Sequence, residues 1–517
     1  MKNGKTQTLF SQTEMAQIKL IGKLIFTSPF SAERTEIEKK LLGRKHIGLY
    51  QVWHSLNGEL SVNKNLPAIF NLCNHLVEKG LAKWADVMAT ADKTLLDDWD
   101  MLALYWLFGK YNTPMTDNIY LGTAAETENA QLYDDFNDDF NRVILLPNRP
   151  YPSIFRPEEI FALFHQIHRA FNYIFDFIAG GTMAAANLRT AIWQSIFTCD
   201  LYRYYRQLFT KMDTITTLIT GESGTGKELV ARAIAFSQFI PFDPKTMRFE
   251  EFYLNCFHPV QLSAMPQSLV ESELFGHAKG AFTGAIRERH GHFETCQTHG
   301  CIFLDEIGDV SIETQAKLLR LLQTRQFQRI GDTTPISFEG KIIAASNIDL
   351  QEACRCGKFR QDLLFRICSD TIHTAPLRTL IDGQEDELRQ FVIILAKRIL
   401  DGQDAVDFAS QCSDWIIRHL GMDYPWPGNV RELEQCLRNL LIRGDYTPMT
   451  TNRISPATDN EAFFNRCNMT VDELLSRYIV ALHKRHGSVL ATAKASGMDR
   501  RTVKKYLDNA ECRMLNA

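Results

Sequence analysis

The chain has 517 residues, of which 45% are hydrophobic and 23% are charged, and its formal net charge is −4. A chain of this length predicts about three domains, and the composition is that of a globular protein able to bury several cores. The slightly negative charge excludes a protein that coats nucleic acid over its whole surface. Any contact with DNA must therefore come from a local basic patch.

The twelve cysteines are scattered along the chain, and none forms a C-x-x-C pair. Since no secretory signal opens the sequence, this pattern favours reduced thiols and a cytoplasmic protein. The apolar stretch from Phe161 to Trp193 is interrupted by histidines and charged residues. We therefore predict buried helix there and no membrane span.

Residues 1–180 are rich in aromatic side chains and contain no catalytic pattern that we can assign. They predict a separate N-terminal regulatory or sensor domain of uncertain α/β type. The acidic segment Asp134–Asp139 is interpreted as a solvated loop. In the aromatic segment Tyr151–Phe177, core packing is favoured over a ligand pocket.

Residues 185–378 alternate β-rich runs with helical segments, which is typical of a parallel sheet flanked by helices. The β-rich runs are Thr217–Ile219, Cys301–Leu304 and Lys341–Ala345. Residues 379–447 are predicted to be helical throughout. Residues 448–465 are interpreted as a linker, and residues 466–517 as a small helical domain.

A glycine-rich loop follows the first β-rich run and precedes a helical run, which is the context of a phosphate-binding loop. Glycines let backbone N–H groups face phosphates, the helix N-terminus favours negative charge, and Lys227 adds a point charge at the β- and γ-phosphates. Glu228 stands where the strict pattern has serine or threonine, so the usual hydroxyl ligand of Mg²⁺ is missing. The loop consists of Gly221, Glu222, Ser223, Gly224, Thr225, Gly226 and Lys227.

Two carboxylates, Asp305 and Glu306, follow the apolar run Ile302–Leu304. In an open α/β sheet this end of a strand faces the ligand crevice. We expect Asp305 to hold Mg²⁺, directly or through water, and Glu306 to polarise the attacking water. Asn347 ends another run and is placed to reach the γ-phosphate, although a helix cap is the commoner role for such a residue. The sequence thus predicts an ATPase with ATP and Mg²⁺ as cofactors.

A hexapeptide follows the run Glu273-Leu274-Phe275-Gly276 and consists of Gly280, Ala281, Phe282, Thr283, Gly284 and Ala285. With it, the chain resembles the bacterial enhancer-binding proteins, the AAA+ activators of sigma-54 RNA polymerase, from about residue 215 to 440. The hexapeptide is similar to the family's sigma-contacting loop in all its residues. The resemblance implies an AAA+ P-loop ATPase core with a parallel sheet, a helical lid and a C-terminal helix-turn-helix.

The same resemblance implies roles for further residues. Arg360 and Arg366 are similar to two arginines that reach the γ-phosphate on a neighbouring subunit, which implies a homo-oligomeric ring, expected to be a hexamer. Arg431 lies in a segment similar to the lid motif, where it would sense the nucleotide. Asn255 stands where the family keeps the residue that restrains the catalytic glutamate.

Some segments depart from the family pattern. The stretch from Lys227 to Asn255 is several residues longer than usual. The nearest candidate for an adenine-side motif, Trp193-Gln194-Ser195, lacks the family's glycine, so the adenine contacts stay open.

Many members begin with a phosphoacceptor receiver domain, but this chain has no aspartate before Asp86. An aspartate that could accept a phosphoryl group near residues 50–60 is therefore excluded. The signal or ligand of the N-terminal segment is unknown.

The C-terminal segment 469–517 carries nine Lys and Arg residues against five Asp and Glu residues. A small-residue helix ending at Gly497 is followed by a basic helix capped by Asp499, which is typical of a helix-turn-helix. A helical dimerisation tail is the alternative. The resemblance also extends to this segment, and the predicted DNA contacts are Arg500, Arg501, Thr502, Lys504 and Lys505.

These features favour a cytoplasmic transcriptional activator that hydrolyses ATP, binds upstream DNA and remodels sigma-54 RNA polymerase. One alternative is an AAA+ remodeller of another protein. The other is a DNA-binding regulator with a weak ATPase.

Overall fold

The computed structural model describes residues 9–48, 55–56, 59–60, 63–84, 91–121, 126–283, 285–448, 475–476, 478–480, 482–483 and 487–514. The chain divides into two compact units, Met1–Gly444 and Asp445–Ala517. The N-terminal helices of the first unit are α1 (Gln12–Phe26), α2 (Ala32–Leu42), α3 (Leu66–Ala82), α4 (Lys93–Lys110), α5 (Asn112–Leu121), α6 (Glu126–Val143) and α7 (Pro157–Phe177).

The rest of the first unit alternates helices with strands. Its helices are α8 (Met183–Phe197), α9 (Leu201–Arg203), α10 (Lys227–Ala235), α11 (Gln267–Phe275), α12 (His292–Thr295), α13 (Ile312–Thr324), α14 (Leu350–Arg355), α15 (Gln361–Ile367), α16 (Leu377–Ile381), α17 (Glu385–Ala396), α18 (Gly402–His419) and α19 (Asn429–Arg443). The strands of the unit are β1 (Ser55–Leu56), β2 (Glu59–Leu60), β3 (Thr217–Thr220), β4 (Phe242–Asp243), β5 (Arg248–Phe249), β6 (Phe257–Gln261), β7 (Cys301–Asp305), β8 (Gln326–Phe327), β9 (Ile336–Ser337), β10 (Lys341–Ser346) and β11 (Asp370–His373).

A five-stranded parallel sheet in the order β11-β3-β10-β7-β6 organises this unit. The three β-rich runs seen in the sequence form its central strands, which confirms the prediction of a parallel sheet. The two edge strands, β6 and β11, were not predicted, because polar residues interrupt both. Pro259 lies within β6, and its missing N–H is tolerated because β6 is an edge strand.

The region 379–447, predicted to be a helical lid, is mainly helical: α16–α19, called the lid below, occupy most of residues 377–443. Helix α19 begins after Gly428 and ends at Arg443, and the next residue, Gly444, adopts a left-handed conformation with φ 70°. Such a glycine is the usual C-terminal stop of a helix because it carries no Cβ.

The predicted separation of an N-terminal domain near residue 180 differs from the structure. Apolar side chains from Leu9 to Ile372 form one continuous core, which includes residues of α7, α10 and the sheet. In the described part of residues 1–180, strands are limited to β1 and β2, and the rest of the regular structure is helical. The segment therefore packs as an extension of the ATPase-like region and is helical in character.

An inserted hairpin, β4–β5, accounts for the extra length predicted between Lys227 and Asn255. The ring of Phe242 lies 4.6 Å from that of Tyr133 and 4.8 Å from that of Phe161, on α6 and α7. Phe249 lies 5.0 Å from the ring of His165. The hairpin therefore provides a surface against which α6 and α7 pack.

The acidic segment Asp134–Asp139 is not the solvated loop expected from its charge, since it lies within α6. Apolar residues at helical spacing explain the difference: Tyr133, Phe136 and Phe140 are buried, while Asp134, Asp135 and Asp138 are exposed. Asp139 is bonded to Lys110 and Tyr111, and it also lies 3.2 Å from Arg142.

The stretch from Phe161 to Trp193 forms α7 and α8, with most of its apolar residues buried, as predicted. Among the described residues, no helix is long and apolar enough to cross a membrane.

The second unit contains α20 (Val489–Ser496) and α21 (Arg500–Met514). Its small core consists of Ile479, Ala493 and Val503. The linker predicted at 448–465 lies outside the described residues, except for residue 448.

Candidate functional site

Polar residues from three neighbouring strands meet at the carboxyl edge of the parallel sheet. The glycine-rich loop follows β3, Asn347 follows β10, Asp305 ends β7, and Glu306 comes directly after it. Because all these strands run in the same direction, their carboxyl ends lie side by side. The structure thus brings together the loop, the paired carboxylates and Asn347, as the sequence predicted.

The loop leads directly from β3 into α10, whose first residue is Lys227. Gly224 and Gly226 adopt left-handed conformations, with φ 78° and 89°, which the turn into the helix requires. No side chain caps the N-terminus of α10. Its first N–H groups are therefore available to an anion, which fits a phosphate of a nucleotide.

Lys227 is folded back over this loop. Its Nζ donates to the carbonyl oxygens of Gly221 and Glu222, both at 2.9 Å. Burial lowers the pKa of Lys227, while the nearby carboxylates of Asp305 and Glu306 oppose this change. The ammonium group is thus held within the loop and close to the paired carboxylates.

The two residues that carry the paired carboxylates differ in backbone conformation. Asp305 ends β7, whereas Glu306 adopts a left-handed conformation with φ 59° that turns the chain away from the strand. Burial and the adjacent Glu306 raise the pKa of Asp305, whereas Lys227 lowers it. Glu228 also contributes to this rise, so its carboxylate is near enough to affect Asp305.

This cluster of carboxylates fits a divalent cation, because the negative charge that raises the pKa of Asp305 is the charge a cation would compensate. Within the described part of the chain, no group of three or more His, Cys, Asp and Glu side chains converges as a complete metal site. An incomplete set of protein ligands such as Asp305 and Glu306 suits Mg²⁺, which takes one or two carboxylates together with phosphate oxygens and water.

The lid holds the glycine-rich loop from the other side. The backbone N–H of Val430 donates to the carbonyl of Gly224 at 3.1 Å, and a Cβ at Gly224 would lie only 2.3 Å from the carbonyl oxygen of Gly428. Arg431 lies within 3.4 Å of the Ser223 hydroxyl. Arg431 therefore lies beside the loop, as the resemblance implied.

Two residues of this contact were not predicted. Asn429 is fully buried, and its amide donates to Glu222 at 3.1 Å and to the carbonyl of Ser223 at 2.9 Å. Arg378, at the start of the lid, pairs with the carboxylate of Glu222. This ion pair and the bond from Asn429 lower the pKa of Glu222. The sequence of the loop gave no local signal that Asn429 or Arg378 would contact it.

Asn255 does not lie at this edge of the sheet. It lies in a short turn before β6, and its amide donates to Glu251 at 3.2 Å. The five residues of β6 separate it from the edge that carries Asp305, a length of roughly 16 Å at about 3.3 Å per residue. The role expected for Asn255, restraint of Glu306, therefore does not fit its place in the fold.

Gln261 is the polar residue that does lie at the correct end of β6. It pairs in register with Asp305 in the parallel ladder. Registered neighbours on adjacent strands direct their side chains to the same face of the sheet. The sequence carried a signal for it, since Gln261 ends an apolar–polar run just as Asp305 and Ser346 do.

Arg360 and Arg366 lie at the two ends of α15, outside this cluster. Arg360 pairs with Asp362 at 2.8 Å, and Arg366 is exposed beside Phe365, which is 68% exposed. Among the described hydrogen bonds and ion pairs, neither arginine contacts the glycine-rich loop of its own chain. Neither arginine therefore contributes to the loop of its own chain.

The described residues of the hexapeptide lie in a turn that leaves Phe282 and Thr283 exposed. Gly280 and Ala285 close it through a 2.8 Å hydrogen bond, and the Phe282 ring lies 5.0 Å from that of His277. Phe282 remains 41% exposed, and Thr283 is exposed as well. Gly284 lies outside the described residues. The two side chains best suited to contact a partner therefore face solvent.

Ser195, from the adenine-side candidate Trp193-Gln194-Ser195, belongs to the core. It is buried in α8, and its hydroxyl lies 3.2 Å from that of Thr217. Ser195 therefore does not supply an exposed adenine contact.

In the second unit, α20 and α21 are joined by a tight turn at Gly497, whose φ is 70°. Asp499 caps α21 by accepting from the N–H groups of Arg501 and Thr502 at 2.9 and 3.0 Å. The Thr502 hydroxyl also donates to Asp499, so this side chain serves the cap. The predicted basic contacts Arg500, Arg501, Lys504 and Lys505 are exposed.

Residues 186–373 match the family model of the sigma-54 interaction domain. A Nif-specific regulatory protein of Azospirillum lipoferum is 41% identical over 260 residues, which are 50% of this chain and 37% of that protein. The transcriptional regulatory protein ZraR of Klebsiella oxytoca is 38% identical over 296 residues, which are 56% of this chain and 62% of that protein.

The crystal structure of NtrX from Brucella abortus is 22% identical, with a TM-score of 0.38, and the alignment covers 73% of this chain and 79% of that one. The chain covers less than two thirds of the length of the two curated relatives, the Nif-specific regulatory protein and ZraR. The domain match and the parallel sheet confirm the expected α/β AAA+ core.

Proposed function

We propose that this relative of the sigma-54-dependent activators hydrolyses ATP in a ring of identical subunits and uses the energy to remodel sigma-54 RNA polymerase at promoters. The observation that carries the proposal is the meeting of the glycine-rich loop, Asp305 and Glu306 at one edge of the sheet. The exposed hexapeptide of the same domain adds the means to contact a partner protein.

For hydrolysis, the uncapped N-terminus of α10 and the loop N–H groups bind the phosphates of ATP. Lys227 exchanges its bonds to loop carbonyls for the β- and γ-phosphates. Asp305 would hold Mg²⁺, which neutralises charge on the phosphates, and Glu306 orients and polarises the attacking water. Asn347 is placed next to this water or the γ-phosphate, and Gln261 takes the restraining role expected of Asn255.

The position of Arg360 and Arg366 away from their own loop supports a site shared between subunits. Arginines supplied by a neighbour stabilise charge on the transferred phosphoryl group, and such contributions reach about 10³–10⁵ in rate. A hexamer is the expected ring. Because Arg431 and Asn429 touch the loop directly, nucleotide binding and lid position are linked.

Sigma-54 is the proposed target of the loop Gly280–Ala285, through Phe282 and Thr283. The second unit would bind upstream DNA through Arg500, Arg501, Lys504 and Lys505. Arginine and lysine side chains are suited to contacts with phosphates and base edges. The compact pairing of α20 with a capped basic helix supports a helix-turn-helix.

The N-terminal helices would gate this activity through α7. Gln166 of α7 donates to the carbonyl of Ser237 at 2.8 Å, and Arg169 donates to that of Gln238 at 2.9 Å. Both carbonyls lie just beyond the end of α10, the helix that begins at Lys227. A displacement of α7 would therefore reach the nucleotide site through a single helix.

The test is ATP hydrolysis by the full chain as a function of protein concentration, together with two variants. We expect the specific rate to rise with concentration as rings form, and Glu306→Gln to bind ATP but hydrolyse it poorly. Thr283→Ala is expected to hydrolyse ATP and fail to activate a sigma-54 promoter in a purified transcription assay.

Unchanged hydrolysis in Glu306→Gln would remove the role given to that residue. Normal activation by Thr283→Ala would favour a different remodelled protein. A wild-type chain that binds DNA but shows no hydrolysis at any concentration would favour a regulator with a degenerate ATP site.

A further inference from the structure

Thr374 is a fully buried hydroxyl directly beneath the glycine-rich loop. It follows β11, which pairs with β3 so that His373 lies beside Thr220. Thr374, the residue after His373, therefore lies beside Gly221, the residue after Thr220 and the first residue of the loop. The fit is close, because a Cβ at Gly221 would lie 2.1 Å from the Thr374 hydroxyl.

Hydrogen bonds connect Thr374 to both ends of the loop's first turn. Its backbone N–H donates to the carbonyl of Thr220 at 2.8 Å. Its hydroxyl lies 3.2 Å from the same carbonyl and 2.7 Å from the hydroxyl of Thr225. Thr374 thus touches the residue before the loop and a residue near its far end.

The direction of these bonds follows from proton counting, since each hydroxyl carries one proton. The Thr225 hydroxyl donates to the carbonyl of Glu222 at 2.8 Å. The Thr374 hydroxyl has a single proton and two acceptors within reach, the Thr225 hydroxyl at 2.7 Å and the Thr220 carbonyl at 3.2 Å. Since the proton of Thr225 goes to Glu222, we assign the proton of Thr374 to the shorter contact, and the longer one then carries no proton. The result is a chain from Thr374 to Thr225 to the Glu222 carbonyl, which is one of the two carbonyls that hold Lys227.

Thr374 also begins the segment that leads into the lid. Three residues later, α16 begins at Leu377, whose N–H donates to Asn429 at 2.9 Å. Asn429 in turn donates to Ser223 in the loop. The segment from Thr374 to Leu377 is thus bonded to the loop at its start through Thr374 and at its end through Asn429.

We propose that Thr374 is a positioning residue, whose hydroxyl holds the turn from Gly221 to Thr225 in the conformation that binds nucleotide. It does not touch the nucleotide and acts through Thr225. This inference rests on the proposed ATP-binding function. Loss of the hydroxyl should raise the Kd and KM for ATP and leave kcat within twofold, because Asp305 and Glu306 lie on another strand.

The experiment uses the full chain with three variants. Thr374→Ala removes the hydroxyl, Thr374→Ser keeps it and removes only the methyl group, and Thr371→Ala changes an exposed threonine on the same strand. ATP binding, steady-state hydrolysis, the thermal midpoint and amide hydrogen exchange of residues 221–226 are measured for each.

We expect Thr374→Ala to weaken ATP binding about tenfold, the effect of one buried hydrogen bond. Thr374→Ser should stay within twofold of the wild type, and Thr371→Ala should match it. Amide exchange in residues 221–226 should accelerate in Thr374→Ala alone, in the absence of any nucleotide.

Equal ATP affinity in Thr374→Ala and Thr374→Ser would overturn the proposal, as would a lower thermal midpoint without faster exchange in the loop. A wild-type chain that binds no ATP would refute the proposed function instead. The exchange measurement still decides the role of Thr374 in that case, since it needs no ligand.

Discussion

Glu387, on α17 of the lid, accepts a hydrogen bond of 2.7 Å from the backbone N–H of Gly181, in the loop between α7 and α8. Arg189 holds the same loop from α8, by donating to the carbonyls of Ile178 and Gly180 at 2.7 Å each. Both side chains are buried, and Glu387 opposes the fall that burial causes in the pKa of Arg189. The connection from the N-terminal helices thus touches the lid directly.

We expect Glu387→Ala to lower the free energy of unfolding by about 3 kcal/mol, because it leaves a buried N–H and a buried guanidinium without this carboxylate. Denaturant unfolding measures the change. Glu385→Ala is the matched control, since Glu385 lies on the same helix and is 54% exposed. A change of about 0.5 kcal/mol or less is expected there, and equal effects of the two variants would contradict the assigned contact.

Acidification should destabilise the fold through two histidines of α7. Burial lowers the pKa of His168 to about 3 and holds that of His165 well below its ordinary value. In the unfolded chain both histidines take up a proton near pH 6.5, which the folded chain does not bind. Stability is therefore retained above pH 6.5 and falls as the pH drops below it, by about 1.4 kcal/mol per pH unit for each histidine.

Urea unfolding between pH 7.5 and 5 tests this dependence. His168→Gln should reduce the slope by about one proton. His75→Gln, which replaces an exposed histidine of α3, is the control. A slope unaffected by His168→Gln would show that the acid sensitivity arises elsewhere.

Removal of residues 1–182 should destabilise the remaining chain. It would expose the apolar face of the β4–β5 hairpin, where Phe242 packs on Phe161, and would remove the bonds of Gln166 and Arg169 beyond α10. We expect a lower thermal midpoint and association in size-exclusion chromatography.

A chain that ends at Gly444 is the matched control, because the second unit has its own core. It should keep the midpoint of the first unit. If the chain starting at Met183 is monodisperse with the full-length midpoint, the N-terminal helices are a separable domain, as the sequence first indicated.

Gln261 and Asn255 offer a direct comparison of two positions at opposite ends of β6. We expect Gln261→Ala to lower ATP turnover roughly tenfold, because the proposed role of Gln261 is a hydrogen bond to the carboxylate of Glu306, and a bond to a charged group contributes about 1.5–3 kcal/mol. Asn255→Ala should leave turnover within about twofold. Steady-state hydrolysis at saturating ATP measures both, and the reverse ranking would restore the role first expected for Asn255.

Local sequence patterns were sufficient to predict much of the α/β core and of the lid. Glycine spacing before Lys227, apolar runs ending in Asp305 and Ser346, and helical periodicity in the lid each reflect forces that act within a few residues. The same holds for the pairing of α20 with α21, where Gly497 and Asp499 mark the turn. These elements lie in the structure where the sequence placed them.

Contacts between distant segments followed from the tertiary structure alone. Thr225 and Thr374 lie 149 residues apart, and they meet because β11 pairs with β3. The place of Gln261 beside Asp305 depends on strand order, and the buried face of α6 depends on the partners around it. The sequence determined the chemistry of the loop and the carboxylates, since that chemistry is local. Only the packed sheet decided which side chains support them, because pairing and burial depend on residues far apart in the chain.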